Sequence, residues 1–241
     1  DALRNAGAAQ QRLFAGPDLT QTAGDKGPGA DDGRAPLPPS PDAHPLLPLL
    51  RVVGQIGATY IVCEGPDGMY LIDQHAAHER VLFEQFLAER AAQKLAIQPL
   101  LEPFVLDLKP EQAVVVAEEL EALNELGVAI EPFGGGAYLV RSLPAILSKD
   151  SPQEAVTEIV DGLVEAAGAL RDAVGAAHEA ALITLICKRA AVKGGQVLSQ
   201  AEMQELVRRL EACSSPHTCP HGRPTMIHVS AVELARQFGR T

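Results

Sequence analysis

Two short segments contain most of the side chains with which this chain could bind a metal ion. The first is DQHAAHERVLFE, residues 73–84, in which His75 and Glu79 lie four residues apart. On an α-helix this spacing places an imidazole and a carboxylate on one face, which is half of a common type of transition-metal site. Asp73, at the end of a strand-like run, can reach the same space. Glu84 would face the opposite side of the helix and is not a predicted ligand, and a charged face exposed to water is the alternative interpretation of the whole segment.

The second segment is CPHGRP, residues 219–224. Cys219 and His221 flank a proline, so a thiolate and an imidazole are held in a tight, non-helical turn. Arg223 precedes another proline, which keeps its backbone extended. A loop with a cysteine, a histidine and two prolines directly before a strand is costly to retain for packing alone, so this segment favours a metal site over a packing role.

A further candidate is Cys187, in the apolar helix LITLICKRA. A buried free cysteine usually packs as a small hydrophobic residue. The adjacent Lys188 and Arg189 would instead favour its reactive thiolate form. Cys63, in a strand-like run, and Cys213, at a helix end, are predicted to be packing residues.

The candidate residues need a scaffold of short strands and helices to position them. The runs LRVVGQIG, TYIVCE and MYLID are β-rich, and GPDG between the last two is a hairpin turn signal. Further strands are predicted for residues 128–133, 137–142 and 225–229, and helices for 75–93, 109–127, 176–190, 199–213, from Pro152 and from Ser230. Strands and helices are mixed rather than strictly alternating, which favours an α+β fold.

Composition restricts the classes of protein to which the chain can belong. The net charge of −11 is a poor basis for binding nucleic acid alone, because affinity for phosphate comes mostly from clustered lysine and arginine. Four cysteines in 241 residues do not indicate a disulfide framework. The chain has no signal peptide and no apolar run of the roughly 18 residues that span a membrane, so we expect a cytoplasmic protein.

The first 45 residues have a composition typical of a linker. GPGADDGRAPLPPSPDAHP is rich in Gly, Pro and Asp and lacks periodic apolar positions, which predicts disorder over 1–45. A start at Asp1 instead of Met suggests a fragment or a processed product. We expect this linker to join a missing N-terminal domain to the ordered part of the chain.

Taken together, these motifs resemble those of the MutL mismatch-repair endonucleases. DQHAAHERVLFE fits every fixed position of that family's DQHA-two-residues-E-four-residues-E motif, and CPHGRP matches a second motif. ICK at 186–188 resembles its Ala-Cys-Arg/Lys element, with Ile186 in place of Ala, and FGR at 238–240 resembles its Phe-x-Arg element. Four motifs in the family's order are far more specific than any one alone. The resemblance covers about 46–241, the C-terminal domain of the family.

The resemblance implies a division of the chain and a set of partners. It predicts an α+β fold with a mixed-sheet dimerisation and endonuclease subdomain built from 46–97 and 180–241, and an inserted, smaller α/β regulatory subdomain at 98–179. The linker would connect to an ATPase domain, so ATP would act only through that missing domain. The expected partners are a second copy in a homodimer, a MutS-type mismatch recognition protein, and DNA, which this domain alone would bind weakly. The expected location is the bacterial cytoplasm, with a function at the nucleoid and no membrane partner.

The resemblance also implies one composite metal site. Its expected ligands come from distant segments and are Asp73, His75, Glu79, Cys187, Cys219 and His221. Zn²⁺ would be structural or regulatory on the thiolate and imidazole side, and Mn²⁺ or a similar ion would support turnover on the carboxylate side. Asp73 is then a metal ligand or general base, and Glu79 a ligand of the reactive ion. Arg223 either contacts a phosphate oxygen or braces its loop.

A short segment after the first motif resembles a sliding-clamp peptide. IQPLLEPF contains Gln98, Leu101 and Pro103 in the spacing Gln-x-x-Leu-x-Pro. Such peptides bury aliphatic side chains in a pocket while the glutamine fixes their orientation. A replicative sliding clamp already encircling DNA would load an acidic nuclease that binds DNA poorly.

The predicted function is therefore a metal-dependent endonuclease that nicks one strand of duplex DNA in mismatch repair and also mediates homodimerisation. One alternative is a nuclease-inactive dimerisation scaffold that zinc only stabilises. Another is a metal-sensing, DNA-binding regulator. That regulator needs a basic recognition helix, and the best candidate, residues 199–213, is too acidic on one side.

Overall fold

The computed structural model describes residues 47–147, 151–192 and 195–240, so the predicted linker at 1–45 lies outside the described residues. The strands are β1 (Arg51–Ile56), β2 (Tyr60–Gly65), β3 (Gly68–Asp73), β4 (Ile97–Asp107), β5 (Ala129–Gly134), β6 (Ala137–Pro144) and β7 (Met226–Ser230). The helices are α1 (Gln74–Ala91), α2 (Pro110–Glu118), α3 (Leu120–Glu125), α4 (Pro152–Asp172), α5 (Ala176–Ala190), α6 (Gln200–Glu211) and α7 (Ala231–Gln237). Across these ranges, no helix is both long enough and apolar enough to span a membrane.

The first sheet has the strand order β1-β2-β3-β7, and all its neighbours are antiparallel. Tight turns join β1 to β2 and β2 to β3, as the GPDG signal predicts for the second connection. Side chains alternate across the sheet: Ile61 and Ile72 are fully buried on its inner face, while Val62, Leu71 and Ile227 form a row on its outer face. The last strand comes from the C-terminal part of the chain, so β7 brings the CPHGRP segment next to the end of β3.

The second sheet has the strand order β4-β6-β5, again antiparallel. Sequence patterns do not predict β4, because two prolines, Pro99 and Pro103, interrupt its apolar run. The pairing of β4 with β6 is itself irregular between Pro99 and Phe104. The α+β class is confirmed. Strand neighbours in both sheets are antiparallel, as short turns between strands favour. The predicted mixed sheet would contain both parallel and antiparallel neighbours, and neither sheet does.

The helix predicted over 109–127 is interrupted at Glu119, whose backbone (φ −99°, ψ 7°) separates α2 from α3. The Glu119 carboxylate is buried and lies 2.9 Å from Nε2 of His178 on α5. This contact attaches the interrupted helix to the helix that carries Cys187.

Helix α1 packs between two hydrophobic cores. Ala77 and Val81 belong to the core beneath the first sheet, and Leu82 and Phe86 belong to the core of the second sheet with α4 and α5. Burying a side chain such as Phe86, which is 1% exposed, stabilises the fold by about 1.5–3 kcal/mol. The helix that carries the first motif is thus packed on two sides.

The subdomain boundaries at 97–98 and 179–180 stay a prediction.

Candidate metal centre

Asp73 connects three parts of the site through its backbone and side chain. It is the last residue of β3 and the N-cap of α1, where its Oδ1 accepts a hydrogen bond from the Ala76 N–H at 2.9 Å. Its own N–H donates to the carbonyl of Thr225, just before β7, at 2.9 Å. The first turn of α1 therefore begins where the segment after CPHGRP joins the sheet.

Two histidines of α1 hold the backbone of Val192, which follows α5. Nδ1 of His75 lies 2.7 Å from the Val192 carbonyl oxygen, and Nδ1 of His78 accepts a hydrogen bond from the Val192 N–H at 2.9 Å. A carbonyl can only accept, so His75 carries a proton on Nδ1. Its other nitrogen, Nε2, then faces Glu79 Oε1 at 3.1 Å.

Glu79 is a buried carboxylate surrounded by positively charged or neutral nitrogen groups. Its side chain is 1% exposed and also lies 3.2 Å from His221 Nδ1 and 3.1 Å from Arg223 Nη2. Burial alone raises the pKa of this carboxyl, but its interactions with His75, His221 and Arg223 lower it to about 2. Glu79 is therefore ionised at neutral pH inside the protein.

The CPHGRP segment forms a tight turn that presents its ligands to Glu79. The Gly222 N–H donates to the Cys219 carbonyl at 2.9 Å, and the Cys219 N–H donates to the Arg223 carbonyl at 2.8 Å. Gly222 has φ +80°, a conformation that favours glycine. The turn buries Cys219 and leaves His221 partly open to solvent.

Over the described residues, one group of side chains has metal-ligand spacing. A carboxylate oxygen of Glu79, the sulfur of Cys219 and a ring nitrogen of His221 all lie within 4.8 Å of one another. Oxygen, sulfur and imidazole donors suit Zn²⁺. In addition, the buried Oε1 of Glu79 accepts no hydrogen bond while His75 is neutral, because the ring proton on Nδ1 leaves the facing Nε2 without one. The residues present therefore fit a bound cation.

Comparison with known proteins assigns the chain to a family. The sequence model described as the MutL C terminal dimerisation domain matches residues 53–210. The chain belongs to this family.

Curated relatives of the MutL family match most of the chain. The DNA mismatch repair protein MutL of Symbiobacterium thermophilum is 41% identical over 214 residues, which cover 88% of this chain and 34% of the relative. The protein of the same name from Shouchella clausii is 40% identical over 205 residues, which cover 85% of this chain and 31% of the relative. The chain thus spans about a third of the length of these relatives.

Three of the six ligands that the MutL resemblance implies lie outside the group of atoms within 4.8 Å: Asp73, His75 and Cys187. His75 still contacts Glu79, and Cys187 is close enough for the charge of Glu79 to act on its thiol. The ligand roles of these residues stay predictions. Of the six predicted ligands, Glu79, Cys219 and His221 are the three whose ligand atoms lie within 4.8 Å of one another.

The expectation that Lys188 and Arg189 favour the Cys187 thiolate is wrong. Burial raises the pKa of this thiol above its usual range, and the negative charge of Glu79 raises it further. Lys188 points to solvent, and Nε of Arg189 lies 2.8 Å from Glu158 Oε2. Neighbours in sequence on a helix face different directions, so neither cation stabilises the thiolate.

Two other residues of the first motif, Arg80 and Glu84, have contacts that the sequence did not predict. Both bind the loop before Cys219: Glu84 accepts hydrogen bonds from the backbone N–H groups of Ser214 and Ser215, and Arg80 donates one to the Thr218 carbonyl. Helical spacing identifies the face on which Glu84 lies but gives no information about the segment that packs against that face. The clamp-like residues Gln98, Leu101 and Pro103 lie elsewhere, exposed on β4.

We predict that His75 titrates above its usual pKa of 6.5 in protein stripped of metal, because its interaction with Glu79 favours the protonated ring. Titration of the imidazole by NMR measures this, and Glu79→Gln should lower the pKa of His75. A raised folded-state pKa means that the His75–Glu79 interaction stabilises the fold below pH 6.5 and is lost as pH rises through the raised value. Glu89→Gln, on the same helix, is the control. A wild-type value at or below 6.5 would contradict the assigned geometry.

Proposed function

We propose that this chain is the metal-dependent endonuclease domain of a mismatch-repair protein and nicks one strand of duplex DNA. The main support for this proposal is the group formed by the buried Glu79 with Cys219 and His221, whose ligand atoms lie within 4.8 Å of one another. Membership in the MutL C-terminal family and the names of the relatives support the biological setting. Because the chain spans about a third of those relatives, the activity of the whole protein is part of the proposal.

The donor set supports zinc on one side of the site. Cys219 and His221 are soft or intermediate ligands that match Zn²⁺, whereas Mn²⁺ prefers oxygen. We assign His75 to the same ion, because its Nδ1–H is held by a backbone carbonyl and its Nε2 is directed at Glu79. Metal-binding histidines commonly donate their second ring N–H in this way. Cys187 would complete the set on losing its thiol proton.

The carboxylates supply the other side of the proposed site, and Glu79, whose oxygen lies within 4.8 Å of the Cys219 and His221 ligand atoms, would serve both sides. When bound, a divalent ion such as Mn²⁺ neutralises charge on the phosphate and lowers the pKa of water. Glu79 holds its charge in the protein interior, and Asp73 uses Oδ1 to cap α1, so Oδ2 is the oxygen we assign to metal binding or proton removal. Arg223 donates to Glu79 at 3.1 Å with a side chain that is 56% exposed, so it is available to a phosphate oxygen at the mouth of the site.

The alternatives differ from the endonuclease in what the site does. A nuclease-inactive scaffold would use the same ligands only to stabilise the turn at 219–222, so turnover distinguishes it. A metal-sensing regulator needs a cationic recognition helix. In α6, Arg208 pairs with Glu205 at 2.7 Å, which reduces the positive surface that such a helix offers to phosphates.

A sliding clamp is the partner that we propose for β4. Leu101 is fully exposed, and the pairing of β4 with β6 is irregular from Pro99 to Phe104. The Gln98-to-Pro103 segment thus presents an aliphatic side chain where the strand departs from its neighbour. Such a segment can insert that side chain into a pocket on a partner.

A second copy of the chain is the partner that we propose for the outer face of the first sheet. Val62, Leu71 and Ile227 lie opposite one another on that face, and Ile227 is 54% exposed. Antiparallel sheets usually place polar residues on a face that contacts water. An apolar row there supports burial against another subunit, in agreement with the family's description as a dimerisation domain.

Nicking of supercoiled plasmid DNA in Mn²⁺ with the sliding clamp tests the endonuclease. We expect Glu79→Lys and Asp73→Asn each to reduce nicking by more than about 100-fold. Loss of a residue that only orients a metal ligand already costs up to about 100-fold, and these two residues are proposed to act directly. Asn retains the oxygen that caps α1, so the fold should persist. Glu89→Lys is the matched control on α1. Nicking that persists in both variants would refute the proposed site, and no nicking by wild type would favour the scaffold.

Binding to the clamp tests the β4 segment. Leu101→Ala should weaken binding by about 10-fold to 100-fold, because burying a leucine contributes about 1.5–3 kcal/mol and 1.4 kcal/mol is tenfold in affinity. Surface plasmon resonance with immobilised clamp measures the change. Leu49→Ala removes another leucine that is 89% exposed and should have no effect. Equal affinity for both variants would exclude this contact.

Sedimentation equilibrium tests the dimer face. Ile227→Glu should shift the chain from dimer to monomer, since it buries a carboxylate against an apolar partner surface. The control is Val174→Glu, at a position that is 83% exposed between α4 and α5. A dimer that survives Ile227→Glu at micromolar concentration would place the interface elsewhere.

A further inference from the structure

The loop that leads into Cys219 is bound to α1 by a carboxylate. Oε2 of Glu84 accepts a hydrogen bond from the Ser214 N–H at 2.6 Å, and Oε1 accepts one from the Ser215 N–H at 3.0 Å. Hydrogen bonds from neutral donors to an ionised carboxylate are stronger than those between neutral groups. Both oxygens of Glu84 thus accept hydrogen bonds from backbone amides of the loop, and Glu84 is not part of the candidate metal group.

Arg80 holds the same loop at a second point. Its Nε donates to the Thr218 carbonyl at 2.6 Å, and its Nη1 lies 3.6 Å from Glu84 Oε1. Arg80 and Glu84 are one helical turn apart, and both side chains are largely buried, with 12% and 19% exposure. The guanidinium group also lies over the Phe83 ring, 5.5 Å from its centroid. These contacts restrict the rotamers of Arg80.

The second attachment point, between Arg80 and Thr218, is next to the ligands in sequence. Arg80 follows Glu79 on α1, and Thr218 precedes Cys219 in the loop. The hydrogen bond between Arg80 and Thr218 therefore limits how far Cys219 can move from Glu79. The attachment at 214–215 fixes the other end of the exposed segment between α6 and the CPHGRP turn.

We propose that Glu84, assisted by Arg80, is a positioning residue that holds the loop at 214–218 in the conformation that places Cys219 and His221 against Glu79. The inference rests on the proposed metal-binding function. Glu84 orders the loop before the ion arrives, so the ion does not have to supply the free energy for ordering that backbone. The effect of Glu84 is on the affinity of the site for metal, with no direct contact to the ion.

Two measurements on the full chain test this inference. The first is the exchange rate of the Ser214 and Ser215 amide hydrogens in metal-free protein, followed by NMR. The second is the affinity for Zn²⁺, measured by competition with a chromophoric chelator. The variants are Glu84→Ala, Glu84→Gln, which keeps the size and one acceptor oxygen, and the control Glu89→Ala, which removes a carboxylate on α1 that accepts a hydrogen bond from Gln85.

We expect Glu84→Ala to speed exchange at both amides by at least tenfold and to weaken Zn²⁺ binding by about 10-fold to 100-fold, the usual loss when a group that orients metal ligands is removed. Glu84→Gln should show smaller changes in both measurements, and Glu89→Ala should match wild type. The urea midpoint of each variant monitors global stability. If Glu84→Ala does not fold, the graded loss in Glu84→Gln carries the test.

Each contrary outcome identifies the claim that fails. Zinc affinity that is unchanged in both Glu84 variants, in a protein whose zinc binding depends on Glu79, overturns the positioning role and leaves the proposed function intact. Amide exchange that is unchanged in Glu84→Ala also overturns it. A wild-type chain that binds no Zn²⁺ overturns the proposed function, and with it the inference.

Discussion

The site depends on keeping the charge of Glu79 inside the protein. Desolvation of a carboxylate is costly, and only nearby positive or hydrogen-bonding groups offset that cost. Here His75, His221 and Arg223 surround the carboxylate and lower its pKa to about 2 despite burial. Two of these groups come from the CPHGRP turn, so the charge on one helix draws a distant segment of chain to it. A cation would serve the same electrostatic need and would use the sulfur of Cys219 as well.

Helix α1 is the element through which this constraint reaches the rest of the fold. It begins at Asp73, directly after β3, and its apolar side chains enter both hydrophobic cores. Its polar face contacts three separate stretches: the backbone at Val192, the loop at 214–218 and the CPHGRP turn. The same helix therefore supplies a candidate ligand and aligns the segments that bring the others. Displacement of α1 would disturb packing and site geometry together.

The sequence was sufficient for features that arise from local patterns. The helix starts at Ser199 and Ser230, the hairpin at GPDG and the α+β class follow from short-range rules, and the motifs identified the residues that meet at Glu79. Features that depend on tertiary contacts could not be predicted in this way. The two prolines in β4 prevented its prediction as a strand. Burial of Cys187 raises the pKa of its thiol, although its charged neighbours in sequence predicted the opposite. Helical spacing shows which face carries Glu84 but not which loop packs against that face.

The proposed site requires Glu79, Cys219 and His221 to share one bound ion. X-ray absorption at the zinc edge of zinc-loaded protein tests it most directly, because it reports the donor atoms around the metal. If Cys219 binds the ion, the spectrum should show a sulfur at about 2.3 Å with nitrogen or oxygen at about 2.0–2.2 Å. In Cys219→Ser the sulfur contribution should decrease. Coordination by oxygen alone, or a sulfur shell that is unchanged in that variant, would contradict the shared site.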